Sequence, residues 1–281
     1  MSRDPIRWFD GAERVLFVHA HPDDETIATG GTLAALASAG RDPLLVTLTR
    51  GERGEVVPGP FAALEGTAGL APHRETELAA ALALLGVEHH AFLGSPPARA
   101  AGLEPRPYED SGMRWGPDGF AVAAEDAPDL ALTRAPAVEA LNDLIALAAA
   151  WEAGAIVSYD ANGGYGHPDH VFAHRAARAV AAGLELPFWE IVVDGPSPAA
   201  DEDPVDEDPA RGELEPHDIS PWFERKLAAL RAHGTQLTLE PGEVGEAAGG
   251  AGGDAGGDAV IVHVGGQRQS VDRFEVFRRL S

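Results

Sequence analysis

The chain contains no cysteine. That excludes disulfides, a thiol nucleophile and zinc–thiolate centres, so any metal site must be built from His, Asp and Glu. It also lacks an apolar run long enough to cross a bilayer: stretches such as Leu141 to Trp151 are too short or interrupted. The opening Met-Ser-Arg-Asp-Pro has no apolar segment before a cleavage site. No secretory signal is read, and a cytoplasmic location is expected. Positive charge is scarce: 21 Lys and Arg face 45 Asp and Glu, for a net charge of −24. Such a chain repels nucleic acid and anionic membrane surfaces, and neither is expected as a partner. No G-x-S-x-G is present, which argues against a serine hydrolase. Gly250-Ala251-Gly252-Gly253-Asp254-Ala255 fits a loose dinucleotide pattern, but it follows no strand and opens no convincing helix.

What is present reads as an α/β chain. Short apolar runs at 15–18, 43–49, 87–93, 155–159 and 187–193 predict strands. Helical segments at 26–39, 72–85, 135–153 and 169–182 fall between them, with Gly40 and Gly86 as stop signals. The alternation predicts a Rossmann-like, mainly parallel sheet with helices on both faces. The stretch 94–127, rich in Pro, Gly and Arg, reads as a long loop. Residues 194–218 read as a solvated acidic loop and 242–258 as a Gly-rich loop. A helix at 221–231 and strands at 260–264 and 274–277 complete a smaller C-terminal portion. One domain over 1–281 is expected, with a catalytic core at 14–193.

Two clusters carry chemistry. His19-Ala20-His21-Pro22-Asp23-Asp24-Glu25 follows the first strand, and Gly163-Gly164-Tyr165-Gly166-His167-Pro168-Asp169-His170 lies past the fourth. Ligands of open α/β sheets bind beyond the carboxyl ends of the strands, so the clusters can meet. His21 and Asp24, three apart at a helix mouth, with His170 from the second cluster, give three ligands. That leaves coordination open for water, the catalytic pattern for Zn²⁺ or Fe²⁺. Asp23 is then placed to act as general base. Tyr165 and His167 are candidates to stabilise an oxyanion, with Asp169 orienting His167. The plain alternative is that Pro-Asp-Asp-Glu only starts a helix and Gly-Gly-Tyr-Gly only turns. That accounts for the acids but not for the histidines. His19 reads as a packed residue or a support behind the ligands rather than a ligand, His174 as a helix surface residue or a fourth ligand, and His89 and His90 as non-catalytic. His217 and His233 carry no signal.

At these residues the chain resembles the LmbE-like zinc deacetylases, the superfamily that includes the phosphatidylinositol-glycan class L enzymes. The resemblance spans roughly Arg14 to Val193 and joins His-Pro-Asp-Asp-Glu to a later His-x-x-His. It implies a Rossmann-like fold, one metal and removal of N-acetyl from an amino sugar. Gly-Glu-x-Gly-Glu-Val at 51–56, Asp110-Ser111-Gly112-Met113 and the run from Tyr159 to His170 are similar to the mycothiol-biosynthesis branch. Within that branch they are similar to deacetylases of N-acetylglucosaminyl-inositol, so a small amino-sugar inositol substrate is expected. The resemblance implies His21, Asp24 and His170 as metal ligands and Asp23 as base. It further implies Tyr165 and His167 on the oxyanion, Asp169 on His167, and Arg74 and Asp110 on sugar and inositol hydroxyls. For Arg74 the plain alternative is a surface pair with Glu77; for Asp110 it is a turn cap. The nearest rival is mycothiol S-conjugate amidase, with Gly-Tyr-Pro-His where this chain has Gly-Tyr-Gly-His and lysine at the position of Ala28. A non-catalytic sugar- or nucleotide-binding Rossmann domain is the alternative of a different class. The segments at 197–218 and 245–258 do not resemble the family.

Overall fold

Five apolar runs become parallel strands: β1 (Val15–His19), β2 (Leu44–Thr47), β3 (His89–Phe92), β6 (Ala155–Ser158) and β7 (Phe188–Val192). With β8 (Glu213–Asp218) and β12 (Phe274–Leu280) they form a seven-stranded sheet of order β3-β2-β1-β6-β7-β12-β8. The computed structural model describes residues 4–117, 119–192, 212–242 and 259–280. Every residue of β1 is buried, because helices cover both faces. Side chains alternate between the two sides. Leu16 and Val18 pack with Leu144 and Leu147 of α3 (Ala137–Ala150) and Val180 of α5 (Pro168–Gly183). Val15 and Phe17 pack with Leu33 of α1 (Asp24–Ser38), Leu78 of α2 (Leu70–Leu85) and Ala229 of α6 (Phe223–Ala232). Among the described residues no helix is long and apolar enough to cross a membrane.

β1 lies between β2 and β6, so the chain leaves it in one direction and later returns on its other side. That reversal opens a crevice beyond the carboxyl ends of β1 and β6, the usual ligand position in such sheets. Both His-Pro-Asp clusters fall there.

The structure departs from the expected elements in four places. The stretch read as a loop at 94–127 contains a hairpin of β4 (Met113–Trp115) and β5 (Ala121–Ala123). The acidic segment read as loop to 218 ends in a strand, β8 (Glu213–Asp218), paired antiparallel with β12 (Phe274–Leu280). Tertiary contacts override composition at β8. Glu215 accepts hydrogen bonds from Phe9 N (2.9 Å) and Trp189 Nε1 (3.1 Å), and buried His217 stacks on Trp8 at 3.8 Å. β10 (Ala259–His263) is flanked by β9 (Leu237–Pro241) and β11 (Arg268–Ser270), two strands the sequence did not announce. The rest of the acidic segment, 194–211, and positions 243–258 of the Gly-rich segment lie outside the described residues.

The C-terminal portion sits hard against α1. A Cβ on Gly31 would lie 2.4 Å from Ile219 Cδ1, so this contact needs glycine. Beside it Lys226, the only lysine in the chain, donates to Glu275 Oε1 at 2.7 Å. The same carboxylate accepts from Gly31 N (2.9 Å) and Thr32 N (2.7 Å), so both oxygens of this buried carboxylate are bonded.

Candidate active site

Beyond β1 the chain turns at His21-Pro22-Asp23 and enters α1 at Asp24. The Asp24 carboxylate folds back, and its Oδ2 accepts from His21 N at 2.8 Å. Tyr159, just past β6, donates its hydroxyl to the same oxygen at 2.7 Å and accepts from Ala20 N at 2.8 Å. The tyrosine ring stacks on His170, with centroids 4.1 Å apart. Next comes the short turn α4 (Gly163–Gly166), and then His167 caps α5 by accepting from Asp169 N at 3.2 Å. Gly163, at φ 64°, lets this turn press onto α5; a Cβ there would meet His170 Cβ at 2.8 Å.

The two clusters meet at Asp24. Its Oδ2 lies 3.3 Å from His21 Nδ1 and 3.3 Å from His170 Nε2. Donor atoms of His21, His167 and His170 lie within 4.8 Å of one another, as do those of His21, Asp110 and Asp169. His170 Nε2 is buried and has no hydrogen-bond partner. Ligands bound tetrahedrally at about 2.0–2.1 Å stand about 3.3 Å apart, the spacing on both sides of Asp24 Oδ2. By donor chemistry and the orphaned imidazole nitrogen, this cluster of imidazoles and carboxylates fits a divalent ion.

The electrostatics agree. Burial alone would raise the Asp24 carboxyl, but the imidazoles of His170 and His21 hold it well below the usual carboxylate range. Burial would likewise lower His21, yet Asp110, Asp169 and Asp24 push it well above its ordinary value. So much carboxylate around one imidazole calls for positive charge. Asp23 is pushed up to about 6, first by burial, with the Arg74 guanidinium opposing and Asp24 reinforcing the shift. His167 is held well below its ordinary value by burial and by His21 and His170, so its ring is neutral.

Several residues sit otherwise than expected. The Asp169 carboxylate faces His21, not His167: its Oδ2 is 3.3 Å from His21 Nε2 and accepts from Ser111 N at 2.9 Å. What Asp169 offers His167 is its backbone N–H, because His167 sits at the helix cap. Arg74 makes no surface pair with Glu77. It is buried and donates to Pro22 O (2.6 Å), Gly51 O (2.9 Å) and Asp23 Oδ1 (3.2 Å). Gly51 is glycine because a Cβ would fall 1.9 Å from Arg74 Nη1. Asp110 does cap a turn, accepting from Gly112 N at 2.7 Å, and it also lies 3.6 Å from His21 Nε2. Burial would raise its carboxyl, but His21 holds it well below the ordinary range. Tyr165 stands at the rim, 41% exposed, its ring 5.2 Å from that of His170.

His19 is packed as expected, bonded to Thr29 Oγ1 at 3.1 Å. His174 is neither on the surface nor at the metal position. It is buried, its Nδ1 2.9 Å from Tyr159 O. Sequence reasoning missed Tyr159, Glu25 and His233 as parts of the site. Tyr159, directly past a strand end and before the second cluster, was the one with a readable signal.

The family described as PIG-L, GlcNAc-PI de-N-acetylase, matches residues 16–181. The chain belongs to that family. Among its relatives, a 1D-myo-inositol 2-acetamido-2-deoxy-alpha-D-glucopyranoside deacetylase of Nocardioides sp. is 36% identical, covering 81% of this chain and 84% of the relative. Proteins of the same description from Kineococcus radiotolerans and Streptomyces avermitilis are each 37% identical. They cover 82% and 81% of this chain, and 71% and 84% of the relatives. The fold is shared with a deacetylase of teicoplanin biosynthesis, at TM-score 0.54 and 22% identity over 79% of this chain and 84% of that one. It is shared too with N,N'-diacetylchitobiose deacetylase from Pyrococcus horikoshii, at TM-score 0.52 and 21% identity over 80% and 71% of the chains. The PIG-L match covers β1 to most of α5, and so includes both clusters.

Proposed function

We propose that this PIG-L family hydrolase removes the N-acetyl group of 1D-myo-inositol 2-acetamido-2-deoxy-α-D-glucopyranoside, releasing acetate and the free amine. The observation that carries the reading is the meeting of His21 and His170 on one Asp24 oxygen, with Asp23 beside it, in a chain 36% identical to a deacetylase of that substrate. A cytoplasmic location belongs to the same proposal and rests on the sequence alone.

His21, Asp24 and His170 would hold the ion, Zn²⁺ or Fe²⁺ by the softness of the donors. Such an ion, when bound, acidifies water and polarises a carbonyl. Asp23 is the base that takes the water's proton, and its raised affinity suits transfer near neutral pH. Asp169 orients His21 through Nε2, the carboxylate–histidine arrangement that fixes a ligand's tautomer. His167 accepts at Nδ1, so its neutral ring carries the proton on Nε2 and can donate to a developing oxyanion. The Tyr165 hydroxyl, at the rim, adds a second donor. The proton held by Asp23 then goes to the leaving amine. Asp110, ionised and beside His21 Nε2, is the candidate partner for substrate hydroxyls.

Gly166 favours deacetylase over conjugate amidase. Its φ of 93° is closed to proline, whose ring fixes φ near −65°. A Cβ there would also lie 3.0 Å from Ala121 O, so the β4–β5 hairpin closes on this turn because residue 166 is glycine. Acetate release by Zn²⁺- or Fe²⁺-loaded protein tests the proposal, with a mycothiol S-conjugate in a parallel arm. Metal-loaded protein that frees no acetate overturns it, and faster cleavage of the conjugate replaces it with the amidase reading.

A further inference from the structure

Asp23 holds a backbone conformation that non-glycine residues avoid, with φ 123° and ψ −35°. Such strain persists only where the surroundings over-determine it. On one side Arg74 clasps the carboxylate and the preceding carbonyl. On the other, the Asp23 N–H donates to Glu25 Oε2 at 3.0 Å. Glu25 is fully buried, and its other oxygen lies 3.3 Å from His233 Nε2. His233, also fully buried, ends α6, and its Nε2 is 3.0 Å from Thr26 Oγ1. Two residues on, Thr235 donates to Glu77 through its N (2.8 Å) and its Oγ1 (2.6 Å). Glu77 lies one helical turn past Arg74 on α2. One short stretch of the C-terminal portion therefore meets both Glu25 and the helix that carries Arg74.

We propose that Glu25 and His233 are positioning residues for Asp23, so that the C-terminal portion sets the conformation of the base. The structural part stands on contacts alone; the catalytic consequence rests on the reading of Asp23 as base. A carboxylate buried as Glu25 is needs its partner, and the loss of His233 frees it to swing away from the Asp23 amide.

The test compares His233→Ala, Glu25→Gln and the conservative His233→Gln with Leu230→Ala, which removes buried packing from α6 but keeps the backbone bond from His233 N to Leu230 O. Metal content, kcat, KM and crystal structures are measured. His233→Ala and Glu25→Gln should keep their metal and hold KM within about threefold, while kcat falls about 10–100-fold. His233→Gln should recover part of that loss, and Leu230→Ala should lower stability but not kcat. In His233→Ala the Asp23 φ should relax from its positive value. If His233→Ala does not fold, Glu25→Gln, equal in volume, carries the same expectation. The proposal is overturned if Asp23 keeps its conformation and kcat is unchanged in the folded variants, or if Leu230→Ala loses as much kcat as His233→Ala. Should the wild type free no acetate, the function reading fails separately and the Asp23 conformation alone decides this one.

Discussion

Replacing Arg74 by Gln separates two jobs: gripping sugar hydroxyls, as the family resemblance implies, and fastening Asp23, as the contacts show. The side chain is 2% exposed, and its three bonds all lead into the protein, to Pro22 O, Gly51 O and Asp23 Oδ1. A glutamine amide is shorter and keeps at most one of them. Two lost buried bonds at about 1–3 kcal/mol each give a destabilisation of about 2–6 kcal/mol. Breaking a buried ion pair gives a similar figure, about 3–5 kcal/mol. Against a typical total of about 5–15 kcal/mol that is a large fraction, read as a lowered urea midpoint. Its Asp23 carboxylate is no longer fixed, and a displacement of about 1 Å costs about 10²-fold in kcat. KM should move by less than about threefold, since uniform substrate binding is untouched. Steady-state acetate release at saturating metal, beside urea titration, reads both quantities. A tenfold or so rise in KM with kcat intact would show Arg74 on the sugar and refute the reasoning.

Asp23→Asn should keep its metal by elemental analysis yet lose about 10²–10⁴-fold in kcat, whereas His170→Ala should lose the metal itself. Gly166→Pro imposes φ near −65° on a residue at 93°, at a cost on the order of 3 kcal/mol. Limited proteolysis should then cut the 113–123 hairpin sooner than in wild type, and equal resistance would contradict the packing described. Burial lowers His90 from 6.5 to about 4. The unfolded chain therefore takes up a proton that the folded form refuses, and stability falls as the pH drops below about 6.5. Between pH 7 and 5 the wild type should lose about 1–2 kcal/mol that His90→Gln retains, as read by urea titrations at the two values.

Much of the site was legible because its residues cluster in the chain. His21, Asp23 and Asp24 lie within four positions, and His167, Asp169 and His170 within another four. Local spacing fixed which side chains leave each strand end together. The direction of each side chain was not legible. Whether Asp169 reaches His167 or His21 depends on the cap geometry at α5 and on Ser111, 58 residues away. Arg74 reads as a helix surface residue until α2 is packed against the 51–54 loop. β8 was hidden in an acidic run because its strand character comes from pairing with β12, and from Trp8 and Trp189 beside it.

The sequence alone therefore determined the alternation of strands and helices up to β7, the absence of thiolate chemistry and the residue types open to a metal, since these follow from local pattern and residue type. Tertiary structure decided that β1 and β6 are neighbours, which brings two clusters some 140 residues apart onto one carboxylate oxygen. It also decided that His233, a C-terminal residue with no local signal, lies against Glu25, which accepts from the Asp23 N–H. The physical reason is the same in both cases. Apolar periodicity acts over a few residues, whereas the convergence of buried polar groups is set by the packing of elements far apart in the chain.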